Sequence, residues 1–175
     1  MSTMPGVLNI VPCVISKGKT KMNNTSFNDR LLPAGQYWIG DLCYVMHEVW
    51  DEFCDKTLGG DTQENVEGVI ELDDGRRCGY LGTAYGDGEY PLYDAGGRFQ
   101  ARLGVDAGLI GVILADSIDR TNLENNPNLG CIIDMDKPFR IRREGEGTLM
   151  FGDFVVETAE ESDEDDGFDD ENDEY

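Results

Sequence analysis

Short apolar runs recur along this chain at intervals of about ten residues, and turn-forming glycine and aspartate separate them. Many of the runs are rich in β-branched and aromatic residues, which are typical of strands. We predict strands at 36–39, 42–45, 66–72, 77–85, 99–103, 109–114, 131–135, 139–143 and 148–157, with hairpin turns at 73–75 and 145–147. The predicted fold is mainly β (α+β), a compact antiparallel sheet or small barrel with one helix packed on it.

One segment has the spacing of an amphipathic helix, predicted at about 46–58. Its apolar positions fall at i, i+3, i+4, i+7 and i+8, namely Met46, Val49, Trp50, Phe53 and Cys54. Charged residues fill the opposite face, which includes His47, the single histidine of the chain. We therefore expect His47 to be an exposed helix residue and not a catalytic one.

Charge divides the chain into parts. Of the formal net charge of −22, twelve carboxylates lie in residues 157–175, a segment without Lys, Arg or His. Its large apolar residues are Phe168 and Tyr175, too few to offset the entropy of ordering the segment, so we expect an acidic disordered tail. We predict an N-terminal strand and flexible arm at 1–34, a β-rich globular domain at 35–156 and the tail at 157–175.

The remainder of the chain is also acidic, and this restricts the partners. A negative field repels nucleic acid phosphate and anionic membranes, and it favours proteins with basic faces. We expect a basic protein partner, host or viral, with no direct nucleic acid binding and no membrane contact. The tail residues predicted to contact that partner are Glu164, Asp165, Asp166, Phe168, Asp169, Asp170, Glu171 and Tyr175.

No stretch approaches the roughly 20 apolar residues of a membrane span, and the first residues lack the pattern of a secretory signal. We therefore expect a cytoplasmic protein, in the host cell if it is phage-encoded. The five cysteines are scattered and never spaced as Cys-x-x-Cys, which favours free thiols over a zinc cage or a disulfide framework. The oligomeric state stays open.

Four aspartates lie in glycine-rich or aromatic bends, where strand ends can converge: Asp41, Asp87, Asp94 and Asp106. Converging carboxylates could hold a divalent metal or act as an acid and base pair. Aspartate and glycine are also the usual residues of turns, so both interpretations stay open. The tyrosines of the same bends could wall a small-ligand pocket, and the candidate ligand-binding set adds Tyr44, Tyr85 and Tyr90. No cofactor is predicted, a divalent metal stays open, and no residue is assigned a catalytic role.

Arginines alternate with apolar residues at 139–143, so Arg140 and Arg142 should project from one face of a strand, with Arg143 adjacent. We hypothesise that the acidic tail docks on this face when no partner is bound.

Four segments together resemble a family of small uncharacterised proteins found in phages and bacteria. They read Tyr-Trp-Ile-Gly-Asp-Leu-Cys-Tyr-Val at 37–45, Val-Trp-Asp-Glu-Phe-Cys at 49–54, Tyr-Gly-Asp-Gly-Glu-Tyr at 85–90 and Val-Asp-Ala-Gly-Leu-Ile-Gly at 105–111. The resemblance covers roughly residues 35–113, and Leu42 stands where the family pattern has proline. It implies a phage or mobile-element setting and no particular activity.

The leading hypothesis is a non-catalytic, phage-type binding protein, acting as an inhibitor or nucleic-acid mimic, whose acidic surface and tail occupy a basic site on another protein. One alternative is a protein that binds or sequesters a small ligand such as a nucleotide. A second is a metal-dependent hydrolase that uses the clustered aspartates. A third is a structural protein of a virion.

Overall fold

The computed structural model describes residues 31–58, 67–121, 123, 126 and 128–159 of the 175-residue chain. The strand and most of the arm predicted at the N-terminus, and residues 160–175 of the acidic tail, lie outside these ranges. The division into arm, domain and tail therefore stays a prediction.

Ten strands in the described part of the chain form two antiparallel sheets of five strands each. In chain order they are β1 (Gly35–Gly40), β2 (Gly68–Glu71), β3 (Arg77–Gly82), β4 (Gly88–Tyr93), β5 (Phe99–Val105), β6 (Leu109–Leu114), β7 (Gly130–Met135), β8 (Ile141–Glu144), β9 (Thr148–Phe151) and β10 (Phe154–Glu157). The first sheet has the order β2-β3-β6-β1-β7 and the second the order β5-β4-β10-β9-β8. The prediction of a mainly β fold is confirmed.

The main core lies between the two sheets. Tyr37 and Ile39 of β1 are completely buried, and they belong to the same apolar cluster as Leu103 of β5 and Phe151 of β9. In the second sheet, side chains alternate between this core and the surface, as in β5, where Leu103 is buried and Arg102 is exposed. The outer face of the second sheet therefore carries the polar half of this alternation.

Most of the first sheet is buried on both faces, because helical segments cover the outer side of β1, β2, β3 and β6. These are 3₁₀ turns at Leu42–Tyr44 and His47–Val49, followed by helix α1 at Trp50–Thr57. Phe53 of α1 packs edge-on against Tyr80 of β3, with ring centroids 5.2 Å apart. This second core explains the uninterrupted apolar sequence of β6, which lacks strand alternation. The predicted helix at 46–58 is thus a 3₁₀ turn that continues into an α-helix.

Three details of the strand prediction were wrong. Residues 42–45 form a turn and not a strand, because the Asp41 side chain accepts the backbone N–H of Cys43. The segment 148–157 is a hairpin, and Gly152 supplies the left-handed backbone (φ +62°) of its turn. Strand β4 was missed, since Pro91 argues against a strand. The β10 ladder reaches only Leu92 and Tyr93, so the missing N–H of Pro91 leaves no gap in it.

The first prediction concerns Gly111, where β6 passes beneath Leu42. A Cβ added there would lie 2.6 Å from Leu42 Cγ and 2.7 Å from Gly79 O, closer than packing allows. Gly111→Ala should lower the free energy of unfolding by about 1–3 kcal/mol in urea denaturation. Gly104→Ala is the matched control, because its added Cβ would meet no atom closer than 3.4 Å. Equal losses in both variants would contradict this packing argument.

Candidate functional site

Asp41 is completely buried, and its carboxylate accepts backbone hydrogen bonds from two different turns. Oδ1 accepts the N–H of Cys43 at 3.0 Å, within the turn that follows β1. Oδ2 accepts the N–H groups of Asp106 at 2.8 Å and Ala107 at 2.6 Å, in the turn that connects β5 to β6. These three N–H donors replace the water that burial removes from the Asp41 carboxyl group, and the Asp41 side chain thereby joins the two turns.

Tyr44 makes a second hydrogen bond to the same β5–β6 turn. Its hydroxyl donates to Asp106 Oδ2 at 2.5 Å. Burial raises the pKa of Tyr44 above its ordinary value, and the hydrogen bond to Asp106 raises it further. The phenol therefore keeps its proton at neutral pH and acts as a hydrogen-bond donor.

Cys43 lies half-buried among three of the four predicted aspartates. Burial is the largest cause that raises the pKa of its thiol, and the negative charges of Asp41, Asp106 and Asp87 follow in that order. A raised pKa leaves little thiolate at neutral pH, and the thiolate is the nucleophile. The surroundings of Cys43 thus oppose nucleophilic chemistry.

Asp94 lies at the other end of β4 and serves its own turn. Its Oδ1 accepts the backbone N–H groups of Gly96 and Arg98, and its Oδ2 accepts Arg98 Nε at 2.8 Å. The hydrogen bonds from Arg98 hold the pKa of Asp94 below its ordinary value. Six strand residues separate it from Asp87, a distance of about 20 Å. Asp94 therefore does not join the other three.

Metal binding by these aspartates has no geometric support. Within the described ranges, no group of three or more His, Cys, Asp or Glu side chains is arranged to hold a metal ion. Both carboxylate oxygens of Asp41 also accept hydrogen bonds from backbone N–H groups.

A groove of about 530 Å³ lies on the outer side of the second sheet and contains three of the predicted ligand-binding residues. We call it the aromatic–acidic groove; its lining is Tyr85, Asp87, Gly88, Glu89, Tyr90, Pro91, Tyr93, Arg102, Glu157 and Ala159. Tyr85 is well exposed, whereas Tyr90 is buried and its hydroxyl donates to Gly86 O at 3.0 Å. The volume lies within the range of small-molecule and side-chain sites.

The predicted ligand-binding set lacks three charged residues of this groove, Glu89, Arg102 and Glu157. Arg102 was missed because its position depends on the β4–β5 register, in which it lies opposite Pro91. Glu157 was predicted both as the last residue of a strand and as the first of the tail; it ends β10 and accepts a hydrogen bond from Thr148 at 2.9 Å. The alternation of β5 was a usable signal for Arg102, because it places that side chain on the open face.

The predicted tail-docking arginines lie on and just before β8, where Arg140 and Arg142 are exposed. Arg142 donates twice to Glu144 Oε1. Arg143 donates to Glu67 Oε1 at 2.6 Å and to Gly82 O at 2.7 Å. Both guanidinium groups are thus held by the domain itself, and docking of the tail stays a prediction because residues 160–175 lie outside the described ranges.

No protein-family model matches this chain, and no curated protein or solved structure matches it either. The resemblance noted above therefore stays untested. In the described part of the chain, no helix combines the length and the apolar character needed to cross a membrane.

The second prediction separates the two carboxylates at this junction. Asp41→Asn would turn an amide N–H₂ toward backbone N–H donors, and it should cost about 2–4 kcal/mol of folding free energy. Asp106→Asn is the control, because its amide oxygen can still accept the Tyr44 hydroxyl, and it should cost less than about 1 kcal/mol. Urea denaturation of both variants measures the difference; a stability of Asp41→Asn close to that of the parent would refute the role of Asp41.

The third prediction concerns the reactivity of Cys43. Because its pKa is raised, iodoacetamide at pH 8 should alkylate Cys43 in the folded chain at least about tenfold more slowly than in the urea-unfolded chain. The rate should rise as pH increases. Peptide mapping by mass spectrometry gives the rate at each cysteine. Asp106→Asn, which removes one neighbouring charge, should speed the reaction, whereas Glu146→Gln in the β8–β9 turn should not. Fast alkylation of folded Cys43 would show the opposite, an activated thiol.

Proposed function

We propose that this protein is a non-catalytic binding protein whose acidic surface occupies a basic site on another protein, host or viral. The observation that carries the proposal is the charge balance of the folded surface. In the whole chain 36 acidic residues face 14 lysines and arginines, and in the described part the ratio is about two to one. An excess of this size gives the surface a net negative potential.

Ion pairs within the domain sharpen this imbalance, because they take up most of the described cations. The cations held by carboxylates of the domain are Lys56, Arg76, Arg98, Lys137, Arg142 and Arg143. Each pair cancels one charge of each sign, so the carboxylates left over determine the field outside the protein. Such a field attracts a basic face from a distance and speeds the encounter.

A basic face that normally binds nucleic acid fits this field best, since it is built to receive closely spaced negative charges. Blocking such a face is how an inhibitor or nucleic-acid mimic would act. The acidic tail would add to the effect, and its part in binding stays a prediction. The phage setting implied by the resemblance is consistent with such a role and is proposed with it.

One observation favours a second function, small-ligand binding. The aromatic–acidic groove has a suitable volume and tyrosine walls. A thermal-shift screen against nucleotides tests it, because a ligand that binds only the folded chain raises the melting temperature with the logarithm of its concentration. No comparable observation favours the hydrolase or the virion role.

The fourth prediction tests the proposed function. We expect the immobilised full chain to retain basic nucleic-acid-binding proteins from a bacterial lysate. Duplex DNA should displace them, and raising NaCl from about 0.1 to 0.5 M should release them, because counterions screen the attraction. The control resin carries an unrelated folded protein of the same net charge, and the proteins that it retains are those bound by simple ion exchange. The proposal would be overturned if neither NaCl nor duplex DNA released the retained proteins, or if the control resin retained the same proteins.

A further inference from the structure

Exposed aromatic rings are concentrated beside the aromatic–acidic groove. Tyr85 and Phe99 are each 57% exposed, more than any other large apolar side chain in the described ranges. Tyr93 lines the groove, and its ring packs edge to face with that of Phe99, with centroids 6.2 Å apart. Uncovered aromatic surface on a folded protein commonly marks a contact site.

The charges of the groove select the ligand. The carboxylates of Asp87, Glu89 and Glu157 line it, against a single cation, Arg102. None of the ion pairs among the described residues involves Asp87 or Glu89. A phosphate or other anion would meet net repulsion here, whereas a cation would be attracted.

Hydrogen bonds within the β3–β4 loop, from Tyr90 and to the end of β10 fix the walls of the groove before any ligand binds. Thr83 Oγ1 donates to Gly86 O at 2.6 Å, and Tyr90 donates to the same oxygen. The N–H of Ala84 donates to Thr158 Oγ1 at 3.0 Å, which ties the β3–β4 loop to the end of β10. A preformed groove loses little entropy when it is occupied.

We propose that the aromatic–acidic groove binds an arginine side chain of a basic protein partner. The inference rests on the proposed function and names the chemistry of one contact. A guanidinium group can stack on the exposed Tyr85 ring while it donates to the carboxylates of Asp87 and Glu89. Arginine suits this combination better than lysine. Its planar guanidinium group can stack on an aromatic ring and donate several hydrogen bonds to carboxylates, whereas the lysine ammonium is a strongly hydrated point charge.

The fifth prediction uses peptides of equal charge as probes of the full chain. In isothermal titration calorimetry at fixed salt, hexa-arginine should bind more tightly than hexalysine, and ATP should not bind. NMR amide shifts caused by hexa-arginine should concentrate at 85–93 and 102. Tyr85→Ala should weaken hexa-arginine binding about two- to fivefold and remove its advantage over hexalysine. Tyr85 is exposed, so this variant keeps its fold, which circular dichroism verifies.

Two double variants of identical net charge separate a groove contact from the general field. Asp87→Asn with Glu89→Gln should weaken hexa-arginine binding at least about fivefold, since both carboxylates contact the guanidinium. Asp55→Asn with Glu146→Gln changes two exposed carboxylates elsewhere and should have less than about a twofold effect. Equal weakening by both pairs would overturn the groove site and leave the proposed function intact. Binding of ATP would also overturn it, in favour of the small-ligand function. No binding of either peptide at low salt would count against both proposals.

Discussion

A carboxylate that is removed from water must find other hydrogen-bond donors, and in this protein Asp41 finds them in the backbones of two turns. One turn follows β1, and the other joins β5 to β6. Strand β5 belongs to the second sheet and β6 to the first, so the Asp41 side chain fixes one of the points where the chain crosses between the sheets. The positions of Cys43 and Tyr44 follow from it, because both lie in the turn that Asp41 caps.

This structural role also limits chemistry at the junction. Asp106 accepts the Tyr44 hydroxyl, and burial together with the surrounding negative charges raises the pKa of the Cys43 thiol. The groups that a catalyst would need here are thus engaged in holding the fold or kept in an unreactive form. The outer face of β1, β2, β3 and β6 is buried under α1 and the 3₁₀ turns, whereas Ile132 of the edge strand β7 is exposed. The aromatic–acidic groove lies on the outer side of the second sheet.

The local sequence pattern was sufficient to predict elements that depend on a single strand or a single turn. The strand at 109–114 was predicted with its observed bounds, and the hairpin turn at 73–75 was predicted between strands that do pair. The segment after Asp41 was mistaken for a strand, because its aromatic and β-branched residues have the same composition whether they lie on a sheet or cover one. Composition cannot show which side chain will cap which amide, and here that cap overrides the strand propensity.

At the candidate site, too, some features follow from the sequence alone and others only from the tertiary structure. By itself, the sequence determined the mainly β fold and the excess of carboxylates, because strand periodicity and net charge are sums over neighbouring or all residues. Only the tertiary structure decided that Asp41 and Asp106 meet while Asp94 stays about 20 Å from Asp87. It also decided that Arg102 shares a groove with Tyr85. The reason is that such neighbours are set by strand register and sheet order, which depend on pairings between residues far apart in the chain.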